Sequence, residues 1–210
     1  MADQRMSQNE FVAYIAQKIR TGYSQSRAPQ LIALSGPDCA GKSTLAVNVQ
    51  EQSSRLGLDI ILLSIDTFLI PRSLRTSNAS EPIAYFENTF DYAALVRTLE
   101  TARNRSSLAS SNSPDIVLVE GVFLLRSELC HWWDLTVWIE VDTSVIMDRA
   151  LKRDKEYFGD EETVRHVYEN RCLPAQDYHI HRDSPRQNAD ITATFEKGVW
   201  TVRASFGKED

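Results

Sequence analysis

Positive charge is in short supply in this chain. Its 210 residues carry 23 lysines and arginines against 29 aspartates and glutamates, a net charge of −6. There is no basic field to draw in a polyanion, which argues against a nucleic-acid partner. Cysteine is scarce too. Cys39, Cys130 and Cys172 lie far apart, an odd and sparse count that argues against a disulfide framework and points to a reducing compartment, by default the cytoplasm. No apolar run approaches the length of a membrane span, so no membrane partner is expected. Residues 1–10 are polar and lack the apolar core of a secretory signal. No segment repeats another. Ser106 to Pro114 is serine-rich and reads as a surface loop. What is left is ordinary globular composition, 42% apolar, enough for a sizeable core in one domain over residues 1–210. A homo-oligomer is compatible with it.

The most informative stretch is Gly36-Pro37-Asp38-Cys39-Ala40-Gly41-Lys42-Ser43-Thr44, which fits G-x-x-x-x-G-K-[ST] at every required position. Its flanks fit as well. The apolar run Leu31-Ile32-Ala33-Leu34 leads in as a strand, and a helical stretch with Leu45, Val49 and Leu56 on one face leads out to a stop at Gly57. A strand, a tight loop and a helix N-terminus aim backbone N–H groups and a positive dipole at one point, where triphosphate oxygens fit. All nine residues, 36 to 44, are candidate nucleotide-binding positions. Lys42 is placed for the β/γ-phosphates, and the Ser43 hydroxyl for Mg²⁺.

The rest of the chain alternates strands and helices. The expected elements are an opening helix from Asn9 to about Arg20, a linker from Gly22 to Pro29, and a second strand, Asp59 to Ile65, apolar enough to be buried on both faces. A polar loop from Pro71 to Glu87 precedes a helix capped by Asp91. Ile116 to Val119 and Leu135 to Val141 are further strands. A helix from Thr143 to Tyr157 and helical structure over Glu161 to Asn170 follow. Ile191 to Phe195 is a fifth strand, with Trp200 to Phe206 its prospective partner. Strands separated by helices imply a parallel sheet covered on both faces.

In open α/β sheets ligands sit beyond the carboxyl ends of the strands. Asp66 ends the second strand and Glu120 the third, so both carboxylates emerge on the edge that carries the phosphate loop. A small-molecule kinase needs a base at the acceptor hydroxyl and acidic support for Mg²⁺. Asp66 suits the first role and Glu120, with Ser43, the second; a turn cap and a hydrogen-bonded strand-end carboxylate are the plainer readings. Arg149 and Arg153 share a helix face, with Lys152 and Arg171 near in sequence. Guanidinium groups match phosphoryl oxygens bidentately, and a lid carrying them would exclude water. A solvated helix of mixed charge is the alternative.

Taken together, these residues resemble the uridine kinase-like branch of the phosphate-loop kinases, which also holds phosphoribulokinase, pantothenate kinase and nicotinamide riboside kinase. The resemblance rests on Leu34-Ser35-Gly36 through Thr44, Asp66-Thr67-Phe68, Phe90-Asp91, Val119-Glu120-Gly121-Val122-Phe123, and Val141-Asp142-Thr143 leading to Arg149-x-x-x-Arg153-Asp154. It spans about residues 31 to 195. It implies a three-layer α/β fold with a five-stranded parallel sheet in the order 2-3-1-4-5 and helices on both faces. It also implies ATP with Mg²⁺, a small-molecule acceptor hydroxyl, Asp66 as base, and Arg149 and Arg153 in a lid over about 149–187. The departures concern the acceptor. Leu69 follows Phe68 where uridine kinases usually show tyrosine. Tyr85-Phe86-Glu87-Asn88-Thr89 stands in for their histidine-bearing segment, with Glu87 able to act as a ribose-binding carboxylate. Their Pro-x-Tyr-Asp stretch is replaced by the serine-rich loop. Phe68, Arg72 and Glu87 are the candidate substrate contacts. Arg72 suits an anionic acceptor, or is a solvated loop arginine, so nucleoside, sugar and anionic metabolite stay open.

Other features rank lower. His179-Ile180-His181 lacks a third ligand at metal spacing and reads as a polar loop. Trp132 and Trp133 are packing anchors, and Cys39 is a small residue tolerated in the loop. The rival readings are a regulatory nucleotide-binding protein and a nucleic-acid ATPase. The acidic balance disfavours the second, and no Asn-Lys-x-Asp motif marks a guanine-reading switch.

Overall fold

The computed structural model describes residues 3–23, 29–75, 80–105 and 115–205. The serine-rich stretch and residues 24–28 of the expected linker lie outside them. Among the described residues seven strands form one sheet: β1 (Gln4–Met6), β2 (Gln30–Ser35), β3 (Ile60–Ser64), β4 (Ile116–Gly121), β5 (Leu135–Val141), β6 (Ile191–Glu196) and β7 (Val199–Ala204). Their order is β1-β7-β6-β5-β2-β4-β3. The run β3-β4-β2-β5-β6 is parallel throughout and is the expected 2-3-1-4-5 arrangement. The expectation of five strands needs correction, because β7 and then β1 extend the sheet antiparallel from β6. β7 is the pairing expected for Trp200 onward. β1 has three residues and no apolar run of its own to announce it.

The period of two along each central strand divides the core. Ile32 and Leu34 of β2 and Ile116 and Leu118 of β4 face one cluster. Leu31, Ala33, Val117 and Val119 face the other. Helix α1 (Gln8–Tyr23) buries Phe11, Val12, Ile15, Ala16 and Ile19 against the first cluster, so Gly22 belongs to this helix and not to a linker. A capping box starts it: Ser7 N donates to Glu10 at 2.8 Å and Glu10 N to Ser7 Oγ at 3.4 Å. Helix α2 (Lys42–Arg55) lies beside it with Leu45, Val49 and Ser53 inward and ends where expected, at Gly57 with φ 79°.

Three further expectations are revised. β3 is the edge strand, and Ile61 is 46% exposed, so its apolar run does not mean burial on both faces. The polar segment before Asp91 contains helix α3 (Glu81–Asn88), which forms because Phe86 is fully buried in the second cluster. The helix expected to run from Thr143 to Tyr157 breaks at Asp154 into α5 (Thr143–Arg153) and α6 (Lys155–Phe158). Helix α4 (Tyr92–Arg105) starts as expected, with Ala94 N donating to Asp91 at 2.8 Å. Helix α7 (Glu161–Val167) passes through a π-helical turn, Tyr168–Cys172, into α8 (Leu173–Asp183), and the short α9 (Pro185–Asn188) precedes β6.

Candidate active site

Sheet register sets out the centre of the site. Glu120 pairs with Leu34, two residues before Gly36, on one side and with Ser64, two residues before Asp66, on the other. The phosphate loop, Glu120 and Asp66 therefore share one end of three adjacent strands. Two backbone features make this possible. Gly41 holds φ 97° at the N-cap of α2, where no side chain caps the free N–H groups. Gly121 lies so close to the turn that bears Asp66 that a Cβ there would come within 2.1 Å of Ile65 Cγ2.

Lys42 opens α2 and is buried, its Nζ donating to the Pro37 carbonyl at 2.6 Å. Burial lowers its pKa, and the negative charges of Asp38 and Glu120 oppose that fall. Ser43 and Thr44 beside it are exposed. A cleft of about 500 Å³ runs over this loop, with Cys39 to Leu45 on one wall and Arg149, Arg153, Phe195 and Trp200 on the other. Arg149 Nη1 donates to the Cys39 carbonyl at 2.9 Å, and its guanidinium stands 6.0 Å above the Phe195 ring. Arg153 pairs with Asp154 at 2.6 Å and 3.0 Å and donates to the Tyr168 hydroxyl at 3.2 Å. The Asp154 bond raises the Arg153 pKa further. Burial works against the Asp154 carboxylate, but the Arg153 and Tyr168 bonds outweigh it and hold the group below the usual range.

Asp66 sits in a 3₁₀ turn, Ile65–Phe68, which Ser64 caps through a 3.3 Å bond to Asp66 N. Its side chain reaches solvent but is flanked by protein. Partial loss of water, followed by the charges of Glu120 and Asp38, raises its pKa. A second cleft of about 280 Å³ contains Asp66 together with Asp38, Arg72, Arg75, Arg153 and Arg171, walled by Tyr85, Tyr157 and Phe158. Arg153 lines both clefts.

The structure thus brings together residues 39–44, Arg149 and Arg153 in one cleft, and Asp66, Arg72 and Arg153 in the other. Gly36 and Pro37 lead from β2 into the loop. Phe68 and Glu87 line neither cleft. Phe68 packs against the second core cluster, and Glu87 is exposed on α3. Sequence reasoning missed Arg75, Tyr85 and Tyr168. Asp38, read only as part of the loop, accepts from Tyr85 at 3.2 Å and from Gln176 Nε2 at 3.0 Å, which ties the loop to α3 and α8. Cys39 is buried, its thiol pushed up in pKa by that burial, consistent with a passive loop position. His179 and His181 lie on α8 and not in a loop. His179 is buried against Asp183 at 2.8 Å, and His181 contacts the Asp177 carbonyl at 2.7 Å. Trp133 is buried as a packing residue, donating to Leu124 O at 2.9 Å. Among the described residues no group of three or more His, Cys, Asp or Glu forms a metal cluster, and no helix is long and apolar enough to cross a membrane.

No protein-family model matches the chain. It is 28% identical over 174 residues to uridine-cytidine kinase A of Dictyostelium discoideum, an alignment covering 72% of this chain and 34% of that protein. It is 23% identical over 212 residues to a pantothenate kinase of Rhodopseudomonas palustris (strain BisB5), covering 86% of this chain and 63% of that one. The chain therefore spans about a third of the first relative's length and under two thirds of the second's. The fold superposes on a structure described as a possible uridine kinase from Bacillus stearothermophilus with a TM-score of 0.61 and 17% identity, covering 85% of this chain and 98% of that one. In sequence the chain is thus similar to uridine and pantothenate kinases, and its fold is that of a structure described as a possible uridine kinase.

Proposed function

We propose that this chain is an ATP-dependent kinase that transfers the γ-phosphoryl group to a hydroxyl of a small metabolite. The observation that carries the reading is Arg153, which lines the phosphate-loop cleft on one side and the Asp66 cleft on the other. A group passing from donor to acceptor moves past this guanidinium. Phosphoryl transfer spreads charge over equatorial oxygens, which a planar, permanently charged donor stabilises. Lys42 and the uncapped N–H groups of α2 take the β/γ-phosphates. Arg149, already docked on the loop, flanks them. Asp66 accepts the hydroxyl proton. It makes no ion pair among the described residues, and its raised pKa brings its basicity closer to working pH.

The Ser43 hydroxyl and the Glu120 carboxylate are hard oxygen donors at the phosphate end and fit Mg²⁺. When bound, the ion neutralises charge on the triphosphate. Residues of about 149–187, from within α5 into α9, form the lid that keeps water from the transferring group. Three free cysteines suit a reducing compartment, and we place the protein in the cytoplasm on that ground.

The test is acceptor-dependent ADP release from MgATP across nucleosides, sugars, glycerate, pantothenate and nicotinamide riboside. Turnover with one class supports the reading. ATP binding that changes affinity for a protein partner, with no metabolite phosphorylated, replaces it with a regulatory nucleotide-binding role.

A further inference from the structure

The second cleft holds more positive charge than its position beside a catalytic carboxylate requires. Arg72 and Arg75 come from the segment after the Asp66 turn, and Arg171 from the π-helical turn before α8. These three arginines are poorly matched by carboxylates. Among the described residues Arg72 and Arg75 form no salt bridge. Arg75 Nε donates to the Ile70 carbonyl at 2.6 Å, and the Arg72 guanidinium lies 5.8 Å over the Tyr157 ring. Arg171 reaches Glu81 only at 3.7 Å, with that glutamate 65% exposed, and its Nε is buried with no hydrogen-bond partner.

Of the three aspartates that line the cleft, Asp154 is already taken by Arg153 and Tyr168, and Asp66 pairs with none of the arginines among the described residues. Asp38 is occupied by neutral donors, Tyr85 and Gln176. Besides Arg153, paired with Asp154, three guanidinium groups thus line one small cleft without a close carboxylate partner among the described residues, in a chain whose net charge is −6. Gathering like charges is unfavourable unless something of opposite sign offsets it. Burial, then the charges of Arg72 and Arg171, lower the Arg75 pKa.

We infer that the phosphate acceptor is itself an anion, a small hydroxylated metabolite whose carboxylate or phosphate is held by Arg72, Arg75 and Arg171 while its hydroxyl faces Asp66. The inference rests on the kinase reading above and narrows its acceptor. Planar guanidinium groups match both oxyanions bidentately, and the aromatic side chains of Tyr85, Tyr157 and Phe158 cover the carbon skeleton between the two ends. An anchored oxyanion also fixes the distance from the acceptor hydroxyl to the base, so it contributes to orientation as well as affinity.

Matched acceptors differing only in the anion test this. Glycerol, glycerate and glycerol phosphate share one skeleton and separate neutral, carboxylate and phosphate arms; pantothenol and pantothenate form a second pair, and uridine serves as a neutral nucleoside. ADP release is measured with the wild type and with Arg75→Met, Arg171→Met and Arg171→Lys, each checked for a native melting transition. The expected result is kcat/KM at least about tenfold higher for an anionic member than for its neutral partner. Arg75→Met and Arg171→Met should raise KM for the anion roughly thirtyfold or more, as loss of one partner of a desolvated charge pair does, while Arg171→Lys retains part of the affinity. Preferred turnover of glycerol, pantothenol or uridine, or equal losses on both members of a pair, overturns the inference and leaves the kinase reading intact. If nothing in the panel is phosphorylated, the kinase reading fails separately, and anion binding decides the matter. With the phosphate loop filled by Mg²⁺ and β,γ-imido ATP, calorimetry with inorganic phosphate or acetate should show binding that Arg75→Met and Arg171→Met abolish. Absence of such binding, or binding indifferent to both substitutions, rejects it.

Discussion

Replacing Asp66 by asparagine separates catalysis from nucleotide binding. The substitution keeps the shape of the side chain and removes its charge and basicity. Asp66 makes no ion pair among the described residues, and the 3.3 Å bond that caps its turn involves its backbone N–H, so the turn should persist. The carboxylates that sustain the charge of Lys42 are Asp38 and Glu120, so the phosphate end is left in place. Affinity for MgATP should stay within about twofold of wild type, while transfer falls by the general-base contribution, about a hundred- to ten-thousandfold, or roughly 2.7 to 5.5 kcal/mol of barrier. Stability should move the other way. The carboxyl pKa is raised in the folded protein, so stability is fully present below the unfolded-state pKa near about 3.9 and is lost as pH rises through the folded value. Asp66→Asn should therefore melt higher than wild type at neutral pH, with the difference vanishing in acid. The same raised pKa moves the acid limb of the wild-type pH–rate profile upward from the ordinary aspartate value. The assays are ADP release, calorimetric nucleotide titration and thermal melts against pH. Transfer within threefold of wild type would refute the base assignment, and loss of ATP binding would move Asp66 into the metal site.

Other expectations follow from the same geometry. Lys42→Ala should weaken ATP binding and cut transfer by orders of magnitude with the fold retained, read by nucleotide titration and circular dichroism; unchanged affinity would remove the phosphate-loop assignment. Arg149→Ala and Arg153→Ala should lower kcat more than they raise KM, by up to about a thousandfold, and unchanged turnover in both would make α5 a merely solvated helix. Gly121→Ala forces a Cβ to within 2.1 Å of Ile65 Cγ2, which should cost about 1–3 kcal/mol and displace Asp66, so that the melting temperature and kcat fall together.

The parallel core was legible because β2 and β4 are apolar on both faces, β5 is largely buried, and the phosphate loop fixes which strand leads it. The loop itself is local, with all its chemistry in nine consecutive residues. The acceptor cleft is not local. Asp66, Arg72, Arg75, Tyr85, Arg153 and Arg171 meet only after folding, and nothing in their spacing announces it. Arg171 was visible as one of several basic residues, but its burial beside Tyr85 was not. Helix α3 escaped because Pro82 and its polar neighbours look like a loop, whereas burial of Phe86 among Phe123, Tyr178 and His179 holds it helical. Phe68 carries a motif position yet packs against the second core cluster, and the Ile70 and Asp91 backbone bonds pin its loop against the start of α4.

The two added strands bear on the order in which the protein assembles. Trp200 of β7 lines the phosphate-loop cleft and donates to Gln8 at 2.7 Å across 192 residues of chain, and its ring packs at a tilt against Phe11 at 4.7 Å. The first helix and the seventh strand thus close one corner of the cleft, beside Phe195 and the α5 arginines. Contacts of such long separation close late. While the chain is being synthesised, the phosphate loop is complete early, but its cleft stays open on that side until residues 199–204 have been made. Tight nucleotide binding therefore reports on the final hairpin. Release of a nascent chain stalled before Val199 should leave the loop formed and ATP weakly held.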